Sequence, residues 1–230
     1  MDFLADIQKT MSDNAEIPSD PAFMDHALKL VDYRRKVAAL YDKVLEAGVG
    51  PKSWQAWRDG RRELFLTHPE SPLMEPDGLD ASALPYFDYD PSWNVVGTVE
   101  PLAVGETVAK VAGGSSIFTQ IASVVFDRDG VSHRLGLFWL DAYGGGLLLP
   151  FRDTTSGTST YGAGRYLLDG AKSADLGSPG PNQLVLDFNF SYQPSCMWDR
   201  QWPCPLAPKV SHLPIAVEAG EQMPEWIASV

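Results

Sequence analysis

Beyond residue 68 the chain contains no stretch able to act as a helical crossover between parallel strands. From there it is built of short apolar runs, close in sequence and joined by tight turns. Strands connected in this way pair with their neighbours in antiparallel fashion, so a doubly wound parallel sheet is excluded. The runs predict strands over 93–100, 106–112, 117–127, 132–140, 146–151, 164–169 and 183–190. Asp129-Gly130 separates two of them and signals a hairpin, and Gly144-Gly145-Gly146 marks another turn. Most of the 18 prolines and 20 glycines fall in this part, as many turns require.

The first third has the other periodicity. Asp20-Pro21 supplies an N-cap followed by proline at the first helical position. Phe23, Ala27, Leu30, Val37, Tyr41 and Val44 then recur at helical spacing until Ala47-Gly48 stops the helix. A second helix runs from Pro51 to Leu66, with Trp54, Trp57, Leu64 and Phe65 as its packing face. Arg58, Arg61 and Arg62 on this helix are placed to reach a site. The expected fold is α+β, with N-terminal helices packed on a mainly antiparallel β-barrel or β-sandwich. Its expected organisation is an arm or short docking helix over 1–20, a helical segment over 21–68 and a β domain over 69–230.

Charge narrows the partners. With 18 basic and 30 acidic residues the chain carries a net charge of −12, which repels phosphate backbones and anionic membranes. No apolar run approaches the roughly 18 residues of a spanning helix, and Met1-Asp2-Phe3-Leu4-Ala5-Asp6 lacks the features of a signal peptide. A cytoplasmic location with reduced cysteines is therefore expected. The expected partner is a small-molecule ligand, without nucleic acid or membrane.

Two polar stretches interrupt the apolar pattern. The first, residues 153–166, combines Asp153, Thr155, Thr160, Tyr161 and Arg165 with three glycines. Such hydroxyl-rich segments either build turns from their own hydrogen bonds or present hydroxyls and N–H groups to an anion. The second is Asp187-Phe188-Asn189, with Tyr192 and Cys196 behind it. Alternation along 183–190 puts Leu184, Leu186, Phe188 and Phe190 on one side, and Asp187 and Asn189 on the other. Arg165 and Asp187 are then expected to meet across one face of the sheet. Cys196, Cys204, His133 and His212 do not have zinc-site spacing, so no metal is expected. Cys196 reads as a buried structural thiol, with a nucleophile paired to His133 or His212 as the sharper alternative.

The segments Phe151 to Gly157, Thr160-Tyr161-Gly162, Gly164-Arg165-Tyr166 and Asp187-Phe188-Asn189 resemble the domain of unknown function 1684 family. So do Tyr192, Pro194, Cys196, Cys204-Pro205, Leu213-Pro214 and Ala219-Gly220-Glu221. The resemblance spans roughly residues 50–222 and implies a fold without implying a reaction. Three positions depart from the pattern: Ser159 stands where an acid is usual, Gln193 replaces asparagine, and Ser211 replaces asparagine. A divergent member is implied, with a changed substrate or reaction or with lost activity.

The leading expectation is a small-molecule pocket serving acid/base chemistry on an anionic or carbonyl-bearing substrate. Asp187 or Asp153 is its proton acceptor and Tyr161 or Tyr192 its donor. Arg165, Thr155, Thr160, Asn189 and Cys196 are its binding groups, and no cofactor is needed. One alternative is a flavin-binding split-barrel oxidoreductase, which rests on fold-level analogy. Another is a non-catalytic interaction protein presenting Trp54, Trp57, Trp198 and Trp202 as an exposed aromatic surface.

Overall fold

The computed structural model describes residues 21–73, 84–103, 108–113, 116–142, 144–199, 202 and 205–228. Helix α1 spans Pro21–Ala47 and α2 spans Pro51–Thr67. The Asp20 cap and the arm expected over 1–20 lie outside the described residues. At the start of α2, Ser53 Oγ accepts from the Gly50 N–H at 3.0 Å, which satisfies a donor at the helix end.

The strands are β1 (Asn94–Pro101), β2 (Lys110–Gly113), β3 (Ser116–Arg128), β4 (Val131–Leu140), β5 (Leu147–Phe151), β6 (Arg165–Asp169) and β7 (Gln183–Asp187). They form one antiparallel sheet in the order β6-β5-β4-β3-β1-β7, with β2 paired to β3. The β3–β4 hairpin turns at Asp129 and Gly130, both at positive φ (52° and 76°), as a turn matching the strand twist requires. The sheet curls into a half-barrel. Beyond β7 the chain returns to β6, where the Tyr166 N–H donates to Tyr192 O at 2.9 Å and the Tyr192 N–H to Tyr166 O at 3.1 Å.

Alternation divides the side chains between two cores. Leu135, Leu137, Leu149, Phe151, Leu184 and Leu186 face the first, with Leu213, Val217 and Ala219 from the C-terminal segment. Phe138, Leu148 and Tyr166 face the second, against Tyr41, Val44, Trp54 and Trp57 of the helices. The helices thus close one face of the sheet and the C-terminal segment closes the other.

Strand β7 is shorter than its apolar pattern predicts. It ends at Asp187, whose carboxylate caps a 3₁₀ turn over Phe188–Phe190. The turn breaks the alternation, so Phe188 enters the first core and Phe190 the second. Arg165 and Asp187 do not pair, because Arg165 turns toward Asp153 and the C-terminal segment. Trp54, Trp57 and Trp198 are buried and Trp202 is half-buried, so they form no exposed aromatic surface. Cys196 is buried but disulfide-bonded, which corrects the expectation of a reduced thiol and leaves no thiolate for a nucleophile. Cys204 lies outside the described residues.

Candidate functional site

The hydroxyl-rich loop after β5 is knitted to itself. Asp153 Oδ2 accepts from Thr155 Oγ1 at 2.7 Å and from the Val217 N–H at 2.7 Å, and Oδ1 accepts from Ser156 Oγ at 3.1 Å. Thr155 Oγ1 also lies 2.9 Å from Thr160 Oγ1. Arg165 is 1% exposed. It donates through Nη1 to Ala219 O and through Nη2 to Val217 O at 2.8 Å, with Asp153 Oδ2 3.5 Å away. Its guanidinium also stands over the Phe151 ring, 5.0 Å from the centroid. Burial pulls its pKa down to about 10, which leaves it charged at neutral pH. The loop and Arg165 therefore present their polar groups to the protein's own C-terminal segment.

A second polar cluster occupies the junction of α2, the segment before β1 and the end of β7. The side chain of Glu221 accepts from Arg61 Nε at 2.6 Å, from Tyr86 Oη at 2.8 Å and from the Gln193 N–H at 2.7 Å. Arg61 lies over the rings of Phe65 (4.4 Å) and Tyr192 (4.7 Å). Burial works against its charge, but Glu221 and its neighbours outweigh that and raise its pKa. Sequence reasoning missed Glu221 as a partner for Arg61, since 160 residues separate them. The available signal was only an acid directly after the small residues Ala219 and Gly220.

Asp187 is the exception among the predicted site residues. Its carboxylate is fully buried, and no cation lies within ion-pair distance among the described residues. It accepts from the Asn189 N–H at 3.0 Å, from Asn189 Nδ2 at 2.7 Å and from Tyr89 Oη at 3.1 Å. Desolvation raises its pKa to about 6, against the opposing pull of those donors. Tyr89 is half-buried and continues the cluster outward, its pKa raised to about 12 by burial and by Asp187. Its ring lies 5.5 Å from that of Trp54, and Arg58 stands over the Trp54 ring at 4.8 Å. Trp54 Nε1 donates to Asn189 O at 2.8 Å, and Asn189 exchanges two hydrogen bonds with the Asp90 backbone. Tyr89 carried no sequence signal beyond its aromatic, turn-rich surroundings.

The remaining predicted residues are dispersed. Tyr161 packs with Phe65, Met197 and Trp198 in an apolar cluster. Tyr192 Oη donates to Asp169 Oδ2 at 3.3 Å, and burial holds its pKa far above neutral. Ser159 is exposed, whereas Ser211 is buried with its Oγ accepting from the Gly136 N–H at 3.2 Å. Gln193 Nε2 donates to Gln222 O at 2.7 Å while its Oε1 is buried without a partner. Among the described residues no three His, Cys, Asp or Glu side chains group to hold a metal. An open groove of about 860 Å³ lies between α1 and α2, lined by Lys29, Asp32, Lys36, Ala56, Gly60 and Glu63 among others, and none of the predicted site residues reaches it. No helix among the described residues is long and apolar enough to cross a membrane.

Comparison with known proteins follows these lines. The family model described as a protein of unknown function (DUF1684) matches residues 81–222. This stretch holds Tyr89, Asp153, Arg165, Asp187 and Glu221 but neither long helix. The solution NMR structure of an uncharacterized protein of Haloarcula marismortui is 34% identical, with a TM-score of 0.54. The match covers 74% of this chain and 92% of that one. No curated protein matches the chain.

Proposed function

The chain belongs to the DUF1684 family of proteins of unknown function, and from the surroundings of Asp187 we propose that it binds a small anionic molecule beside Tyr89 and moves a proton on it. The observation that carries this reading is a buried carboxylate with no cation beside it among the described residues, with a pKa of about 6, linked outward by one tyrosine hydroxyl. A group titrating near neutrality in a partly dry site is suited to general acid–base work. The Tyr89 hydroxyl donates to Asp187, and Asn94 also hydrogen-bonds its oxygen, which has a second lone pair to accept from a ligand hydroxyl. A proton leaving the ligand passes to the Tyr89 oxygen as the Tyr89 proton passes to Asp187. Arg58, on the same aromatic platform, is the group for the ligand's carboxylate.

The test uses Asp187→Asn and Tyr89→Phe in the full chain, with a panel of small 2-hydroxy and 2-oxo carboxylates followed by NMR. The parent is expected to bind at least one member with shifts at Tyr89 and Asn189. Each variant should lose at least about tenfold in affinity or proton exchange. Variants that fold and bind every member as the parent does would remove the reading.

A further inference from the structure

The two oxygens of the Asp187 carboxylate are not equivalent. Oδ1 accepts from both the Asn189 N–H (3.0 Å) and Asn189 Nδ2 (2.7 Å), which fill its lone pairs. Oδ2 accepts from the Tyr89 hydroxyl at 3.1 Å. The Asn189 side chain is fully buried, and Asp90 fixes which way its amide faces. Asn189 Oδ1 accepts from the Asp90 N–H at 2.9 Å, and Nδ2 donates to Asp90 O at 2.8 Å. Turned over, the amide would set its oxygen against Asp90 O and Asp187 Oδ1, both acceptors. Trp54 Nε1 holds the same residue from α2 by donating to Asn189 O at 2.8 Å.

A proton arriving at Asp187 therefore goes to Oδ2. Turned away from Tyr89 it would be a buried donor without an acceptor, so it points at the Tyr89 oxygen. The charged and titratable groups on the surrounding elements are engaged elsewhere or exposed. Asp90 Oδ1 accepts from Ser92, Arg128 of β3 donates to Ser92 O and pairs with Asp129, and Arg58 of α2 pairs with Asp59. Asp88, beside Tyr89, is exposed. The bond between Asp187 and Tyr89 is thus the one whose direction a proton on Oδ2 changes.

We infer that Asn189 is a positioning residue that reserves Oδ2 of Asp187 for the proton and thereby sets the direction of the Tyr89 hydroxyl, and with it the kind of ligand oxygen the site takes. The inference rests on the proposed use of Asp187 and Tyr89 as the reacting pair. With Asp187 charged, the Tyr89 hydroxyl donates inward to Oδ2, accepts from Asn94 and offers a lone pair outward. That state suits a ligand hydroxyl. With Oδ2 protonated, its O–H donates to the Tyr89 oxygen, and Tyr89 turns its own hydrogen outward. That state suits a ligand carbonyl or alkoxide oxygen. Passing a proton from the ligand to Tyr89, and the Tyr89 proton to Asp187, carries the site from the first state to the second. The hydroxy ligand and its deprotonated product each meet the matching arrangement.

The test is an NMR titration of the ligand-free full chain, with tyrosine labelled at Cζ and aspartate at Cγ. Tyr89 is assigned by the signal lost in Tyr89→Phe, and Asp187 by the signal lost in Asp187→Asn. The Tyr89 signal should shift in one step that shares the midpoint of the Asp187 carboxyl, near 6. In Asp187→Asn the donors of Asn189 hold the new amide with its oxygen toward them and its NH2 toward Tyr89. The Tyr89 signal of that variant should stay at the parent's low-pH position throughout. Asn189→Ala takes one donor from Oδ1, so the carboxyl midpoint should rise further and the Tyr89 step should shrink. A Tyr89 signal that stays still while Asp187 titrates overturns the inference. So does an Asp187→Asn signal at the parent's high-pH position, or a folded Asn189→Ala with parental step and midpoint. No ligand enters these spectra, so a carboxylate panel that fails to bind removes the proposed function while the spectra still decide this inference.

Discussion

Asp187 is held at a disadvantage when charged. Its carboxyl has an ordinary value near 3.8 and a folded value of about 6, so the folded state binds the proton more tightly. The stability this confers is fully present below the ordinary value and is lost as pH rises through 6. A change of this size corresponds to about 3 kcal/mol, as an order of magnitude. Asp187→Asn removes the charge at nearly constant shape. The variant should be more stable than the parent at pH 8, by about 1–3 kcal/mol, and the two should converge near pH 4. Urea denaturation at both values checks this, and equal stability at pH 8 would show that the buried charge is compensated. The Arg61–Glu221 pair should behave in the opposite way. Glu221→Gln leaves a buried guanidinium without its anion and should destabilise by about 3–5 kcal/mol. Adding Arg61→Met should recover much of that loss, as a double-mutant cycle in denaturant would measure.

At the scale of elements, the two long helices and the strand series were legible because each repeats its period many times. Helix α1 begins and ends where Pro21 and Ala47-Gly48 place it. What escaped the pattern were single-residue events. The pairing of β5 with β6 shifts register between Leu149 and Pro150, which lets both Leu167 and Leu168 reach the same core. The Asp187 side chain ends β7 by accepting from the Asn189 N–H, a local bond that competes with the ladder. Arg165 found Asp153 rather than Asp187 because the bend between β5 and β6 folds the polar loop back under its own strand. Gly220 shows how tightly the C-terminal segment is fitted. Its φ is +82°, and an added Cβ would lie 2.1 Å from Ser191 Oγ and 2.6 Å from Ser191 O. Gly220→Ala should lose about 3 kcal/mol or more, seen as a fall in Tm, since backbone bounds the space.

For the whole molecule, alternation pointed to one core face and one polar face of the sheet, whereas the structure packs an apolar core on each. The identity of the second cover could not be read in advance, because residues 211–221 look like a proline-punctuated loop. The polar segment at 153–166 was legible as special, but its role as an anchor for that cover was not, since its partners there are backbone N–H and C=O groups that leave no mark in a sequence. Removal of residues after Ser211 should expose the first core and leave Arg165 and Asp153 without their chain partners. The truncated chain should then bind a hydrophobic dye and lose near-ultraviolet circular dichroism while retaining helical signal. A native near-ultraviolet spectrum from that chain would show that the segment is only a surface strap.

The position of this cover also has a consequence for synthesis. Leu213, Val217 and Ala219 complete a core whose other members begin at Trp93, so the contacts they close join distant parts of the chain. On the ribosome, α1 and α2 emerge before the strands, and this face of the sheet remains wet until residues 213–219 have left the tunnel. Pairings this distant are formed late and leave apolar surface open to misassociation in the interval. The nascent chain should therefore engage chaperones that hold apolar surface while the strands emerge and release them together once residues 213–219 are out.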